Sequence, residues 1–141
     1  MHFEASGNIN APASTVWSII TDASAYPDFD PVNIRIEGTI AEGEKVTAYT
    51  TFSPDRAFPA TVTTFNPNKY MEWTGGMPLG LFKGVRSFRL DEKTDGSVDF
   101  TLREEFSGPL LFMMKSQLPD MNEAFQGFVA GLKERAESQA S

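Results

Sequence analysis

The sequence predicts an α+β fold: a curved antiparallel sheet of seven short strands, closed by one long C-terminal helix, with two short helices after the first strand. Three observations carry this. From Phe3 to Phe106, apolar and polar residues alternate in runs broken by turn residues. Between the first two runs the period changes, over NAPASTVWSIITD. After Gly108 it changes again, and Met121, Phe125, Phe128 and Leu132 recur at helical spacing.

Phe3, Ala5, Gly7 and Ile9 alternate with polar neighbours and give the first strand. Pro12 suits the first turn of a helix, where a missing N–H matters little. Val16, Trp17, Ile19 and Ile20 lie on one side of that helix. SAYPDFDP follows, and a second short helical turn is expected before Pro27. Ile34 and Ile36 mark a strand, AEGEK a hairpin turn, and Val46, Ala48, Thr50 and Phe52 the next strand. SPDR reads as a turn, after which Phe58, Ala60 and Val62 continue. NPNK turns the chain again before Met71 and Trp73, and GGMPLG is a longer loop. Phe82, Phe88 and Leu90 mark a strand, EKTDGS a hairpin, and Val98, Phe100, Leu102 and Phe106 the last strand. Pro119 either starts the closing helix or kinks a longer one that begins near Leu110. Within it, Gly127 and Gly131 each weaken the helix by ~1 kcal/mol relative to Ala. They point to close approach by the sheet or by a partner, and a homodimer contact is left open.

The chain has 141 residues, which fits a single domain over 1–141. A sheet of this size cannot leave its apolar face wet, and the C-terminal helix is the long amphipathic element that can cover it. A strongly twisted sheet curled around one helix leaves a gap between them. There is no cysteine, and the single histidine is His2, so thiol nucleophiles, most zinc sites and a histidine-based triad drop out. No G-x-S-x-G or phosphate-binding glycine pattern occurs. No metal or cofactor is expected. The net charge of −7 argues against nucleic acid and against anionic membrane surfaces. MHFEASGNIN lacks the pattern of a signal peptide, and no run approaches the ~20 apolar residues of a spanning helix. The expectation is a cytoplasmic protein with no membrane insertion.

Four stretches, in this order and at these spacings, carry a resemblance: INAPASTVWSIITDASAYPDFDP; YMEWTGG followed by GLFKGVRSFRL; EEFSG; and FQGFVAGLKERAE. The chain resembles the helix-grip superfamily of START and birch-pollen-allergen-like proteins, in its polyketide cyclase/dehydrase-like branch, over essentially its whole length. Many members have a tryptophan near the opening proline, where this chain has Phe29. The resemblance implies the helix-grip fold. For function it leaves lipid carriers, receptors, cyclases and co-chaperone domains open.

Glu104 shares the parity of Phe100, Leu102 and Phe106, so a carboxylate points where apolar side chains point. Centring the EKTDGS hairpin on Asp95 sets Leu90 opposite Phe100, Phe88 opposite Leu102, and Arg86 opposite Glu104. The expectation is an ion pair on the concave face. In a filled core, desolvation would roughly offset the attraction of such a pair. In a lined cavity it would orient the polar end of a ligand, and at the rim it would be inert. Trp73 reads as inward, either as core or as a donor to a ligand. Phe52, Phe58, Phe88, Phe106, Phe125 and Phe128 are individually ordinary core residues and collectively candidate cavity walls. Met113, Met114 and Met121 are adaptable side chains near the helix entry, either packing or forming a lid.

Three functions remain. The first is binding of a small hydrophobic or aromatic molecule between sheet and helix, lined by Phe52, Phe58, Trp73, Arg86, Phe88, Glu104, Phe106, Met121, Phe125 and Phe128. The second is a cyclase/dehydrase reaction with Glu104 as general acid or base and Arg86 stabilising an enolate. The third is a protein-interaction module, which would have a filled core and an exposed apolar patch.

Overall fold

Alternation carries His2–Ile9 into the first strand, β1. Pro12 then caps helix α1 (Ala13–Ile20), whose Val16, Trp17, Ile19 and Ile20 are buried as their spacing requires. The computed structural model describes residues 1–140. After α1 the chain forms a 3-10 turn at Ala23–Ala25 and the short helix α2 (Tyr26–Phe29). Strands β2 (Asn33–Glu37), β3 (Lys45–Thr50), β4 (Ser53–Asn66), β5 (Tyr70–Gly76), β6 (Lys83–Glu92) and β7 (Val98–Ser107) follow. A short helix α3 (Leu111–Met114), a 3-10 turn at Lys115–Gln117 and the long helix α4 (Asn122–Ala140) complete the chain.

The seven strands form one antiparallel sheet in the order β1-β7-β6-β5-β4-β3-β2. Register shifts at Asn33/Arg35, Ala48/Thr50 and Val62/Thr64 interrupt the ladders of β2, β3 and β4. Such bulges bend strands and increase twist, which curls the sheet toward α4. This is the helix-grip fold.

Three local expectations are corrected, and one open alternative, at Pro119, is decided. The short helix runs through Pro27 rather than stopping before it, because a proline at the start of a helix gives up no intrahelical bond. SPDR is not the turn between β3 and β4. Thr50 already pairs with Ser53, and SPDR lies in β4, where the register with β3 resumes at Phe58. The N–H that Pro54 lacks is therefore not needed by that ladder. The β2 bulge separates Ile34 from Ile36, so Ile34 is exposed and Ile36 buried. At Pro119 the outcome is a start and not a kink: α3 ends earlier, Leu118 is extended, and α4 begins at Asn122, whose N–H donates to Asp120 Oδ1 at 3.0 Å.

Gly127 and Gly131 do allow close approach, but to the α2 corner. A Cβ on Gly131 would stand 1.9 Å from the Phe29 carbonyl oxygen, and one on Gly127 2.9 Å from Pro31. That contact locks α2 onto α4 and brings Tyr26 into the grip.

Candidate functional site

The core is aromatic and centred on Phe128. Its ring lies 5.2 Å from Phe29, 6.0 Å from Tyr26 and Phe100, and 6.1 Å from Phe88, between centroids. Phe88 and Phe100 expose none of their surface, and Phe128 only 2%. A side chain with no exposed surface adjoins no water-sized void, so the expected gap is closed at Phe88 and Phe100. Along β6, exposure on the concave face rises from buried Leu90 and Phe88 to partly exposed Arg86, Gly84 and Phe82. On β4 it rises from buried Val62 through Ala60 to exposed Phe58. The grip is packed at one end, and exposure rises toward the other, which carries the β3–β4 hairpin, the loop 77–82 and the entry to α4.

One row of residues crosses the sheet where packed core gives way to open mouth. Val62 pairs with Trp73, Trp73 with Arg86, Arg86 with Glu104, and Glu104 with Phe3. Arg86 Nε donates to Glu104 Oε1 at 3.3 Å, with the side chains 19% and 15% exposed. The guanidinium sits 5.2 Å from the centre of the Phe125 ring. The Arg86–Glu104 bond is the guanidinium's one hydrogen bond among the described residues. Its two terminal amino groups remain available as donors. The Trp73 indole N–H is buried without a partner, a condition found at no other buried side-chain polar atom among the described residues.

The other expected residues fall around this row. Phe106 lies one row outward, its ring stacked on Phe82 at 5.7 Å. Phe3 bridges Phe106 and Phe125 at 6.2 and 6.4 Å. Met121 is partly buried at the start of α4. Phe58 is 39% exposed. Phe88 and Phe128 sit in the packed depth. Phe52 lies in the β3–β4 turn, 47% exposed and away from the row.

Sequence reasoning did not single out Tyr26 and Asp30. Tyr26 is fully buried and donates its hydroxyl to the Ile20 carbonyl at 2.6 Å. Burial raises its pKa well above the ordinary tyrosine value; nearby Arg86 pulls it down and Asp30 pushes it up. Asp30, also buried, accepts from the Val32 N–H at 2.9 Å and from the Asn33 side chain. An aspartate that accepts from the N–H two residues on is an Asx turn, a signal DFDPVN carried in sequence.

Two surface depressions lie outside this row. One, of about 470 Å³, lies among Lys45, Pro59, Thr61, Thr74, Met77 and Lys83, at the end of the sheet that carries the loop 77–82. The other, of about 290 Å³, is on the sheet's outer face. There Arg103 bridges Glu4 and Glu105 at 3.4 and 3.2 Å, and Tyr70 donates to Glu72 at 2.6 Å.

A family model described as polyketide cyclase / dehydrase and lipid transport matches residues 1–137. The chain belongs to this family. Among solved structures, the cyclase/dehydrase-family chain is similar to the Zhui aromatase/cyclase from Streptomyces sp. R1128, at 14% identity and a TM-score of 0.74, covering 100% of this chain and 96% of that one. It is also similar to the hypothetical protein jhp0584 from Helicobacter pylori, at 15% identity and a TM-score of 0.78, over 96% and 88% of the two chains. Protein MLL2253 from Mesorhizobium loti matches at 13% identity and a TM-score of 0.74, over 98% of both. At these identities the likeness speaks for the fold. No curated protein matches the sequence.

Proposed function

We propose that this family member binds a small apolar or aromatic molecule carrying a polar group, at the open end of the grip, with Arg86 and Glu104 orienting the polar group. One observation carries the reading: an ion pair that retains 19% and 15% exposure stands on the concave face among apolar side chains. In a filled core its desolvation would roughly cancel its attraction. On an open surface it would contribute little. In a mouth that a ligand enters, it supplies directional hydrogen bonds where the walls supply none. Phe58, Phe82, Phe106, Met121 and Phe125 would contribute affinity by burial, at about 25 cal/mol per Å² of apolar area before the losses of association.

The family description names chemistry as well as lipid transport. In an enzymatic reading Glu104 moves a proton and Arg86 stabilises an enolate. Uptake of the neutral fluorescent probe N-phenyl-1-naphthylamine, with native mass spectrometry of freshly purified protein, tests the binding reading. The expected result is saturable uptake, lost when Met121→Trp fills the mouth. Glu104→Gln then separates the two readings. A binder keeps near-normal affinity, because an amide still accepts from Arg86, whereas an acid–base catalyst loses turnover. A protein that takes up no probe and carries no small molecule shifts the weight to the interaction-module reading, which the packed core and exposed apolar side chains support.

A further inference from the structure

The three most exposed large apolar side chains among the described residues lie on two joined segments with Met77 and Leu81 beside them, while Met1, Ile34, Phe52 and Phe58 are exposed elsewhere. Leu79 is 96% exposed, Phe112 77%, Met113 57%, Met77 41% and Leu81 37%. The Leu110 N–H donates to the Leu81 carbonyl at 2.9 Å and ties the loop to the start of α3. Gly108 packs against the carbonyls of Gly80 and Leu81 in the same seam. Leu79 also has φ of 62°, a backbone conformation that favours glycine, and it presents its side chain to water from there. Scattered apolar residues on a surface are ordinary; five on two bonded segments make a patch.

The charge around this patch differs from that of the chain. The stretches 77–84 and 108–119 contain Lys83 and Lys115 and no acidic residue, in a chain of net charge −7. Neither lysine forms an ion pair among the described residues. The sequence expectation against anionic membranes used charge averaged over the chain, and the average hides this local reversal.

We infer that this lip, Met77–Leu81 with Phe112 and Met113, docks the protein on an anionic lipid surface, with Lys83 and Lys115 facing the headgroups. Protruding apolar side chains suit a bilayer, which yields around them, whereas a protein partner must supply matching pockets. A second copy is disfavoured, because an isologous contact would bring the lysines of both copies together. The docking inferred is peripheral; no helix among the described residues is long and apolar enough to cross a membrane. It would set the mouth against the bilayer: Phe82, next to Leu81, stacks on Phe106 at the edge of the grip. An apolar ligand would then pass between lipid and protein without crossing water. The inference does not depend on what the mouth binds.

Sedimentation of the full chain with phosphatidylcholine vesicles, with and without phosphatidylglycerol, tests it. The expected result is salt-sensitive binding to the mixed vesicles. Leu79→Asp with Phe112→Asp should abolish binding while leaving the circular dichroism unchanged. Removing either lysine charge should weaken binding about fivefold. Absence of binding to either vesicle overturns the inference, as do variants that bind like the parent protein. So does a parent dimer that the double variant converts to monomer, because the lip would then be a contact between copies.

Discussion

Arg86 and Glu104 face each other from adjacent strands, Nε to Oε1 at 3.3 Å, at the boundary between packed core and open mouth. Removing one partner leaves the other charge largely desolvated. Arg86→Met and Glu104→Gln should each destabilise the fold by about 2 kcal/mol, below the 3–5 kcal/mol typical of fully buried pairs because water still reaches this one. The double variant should be less destabilised than the sum of the two. Urea denaturation of the four proteins measures this, and additive effects would mean that the two groups are independently solvated.

Trp73 buries an indole N–H that no atom of the described residues accepts. An unsatisfied buried donor costs about 1–3 kcal/mol. Trp73→Phe removes that penalty together with part of the apolar contact with Tyr26 and Phe88. The two effects oppose each other, so stability should change by less than about 1 kcal/mol, although the residue is only 5% exposed. A loss of several kcal/mol would show that the N–H has an acceptor in solution.

Gly131→Ala raises intrinsic helix propensity by about 1 kcal/mol. Here the added methyl meets the Phe29 carbonyl, a backbone atom that cannot rotate away. The expected outcome is a net destabilisation of roughly 1–3 kcal/mol, read from the thermal midpoint. A stabilised variant would mean that α2 stands further from α4.

Glu137 ties the end of α4 to the corner after β1. Its Oε2 accepts from Lys133 Nζ at 2.6 Å and from the Asn10 N–H at 2.9 Å. The Lys133 bond, then the Asn10 bond, hold its carboxyl below the ordinary glutamate value. A carboxyl with a lowered folded-state pKa contributes stability above its unfolded value, and that contribution disappears as pH falls through the folded one. Glu137→Gln should therefore flatten the acid side of the stability–pH profile below the usual glutamate range. Parallel profiles for the two proteins would remove Glu137 from the account.

Tyr26 has the opposite sense. Its raised pKa makes its contribution complete below the ordinary tyrosine value and lost as pH climbs beyond it. A spectrophotometric titration should find one tyrosine that ionises only together with unfolding, and Tyr26→Phe should remove that late phase. Early ionisation of all tyrosines would contradict its burial.

The sequence by itself determined the succession of elements, because alternation and helical spacing report which face each residue must bury. It also determined the facing of Arg86 and Glu104, because a short hairpin at Asp95 leaves little freedom in register and both parities agree. Pairing between adjacent strands is a local property and survives without knowledge of the rest. What only the tertiary structure decided is depth. Parity placed Phe88 and Arg86 on the same face, yet one is sealed and the other reachable, since that depends on how far α2 and α4 descend into the sheet. Phe29, Gly131 and Tyr26 set that descent through contacts between distant segments, which no local pattern records. The exposure of Leu79 and Phe112 was decided in the same way: their neighbours in space, and not their hydrophobicity, left them facing outward.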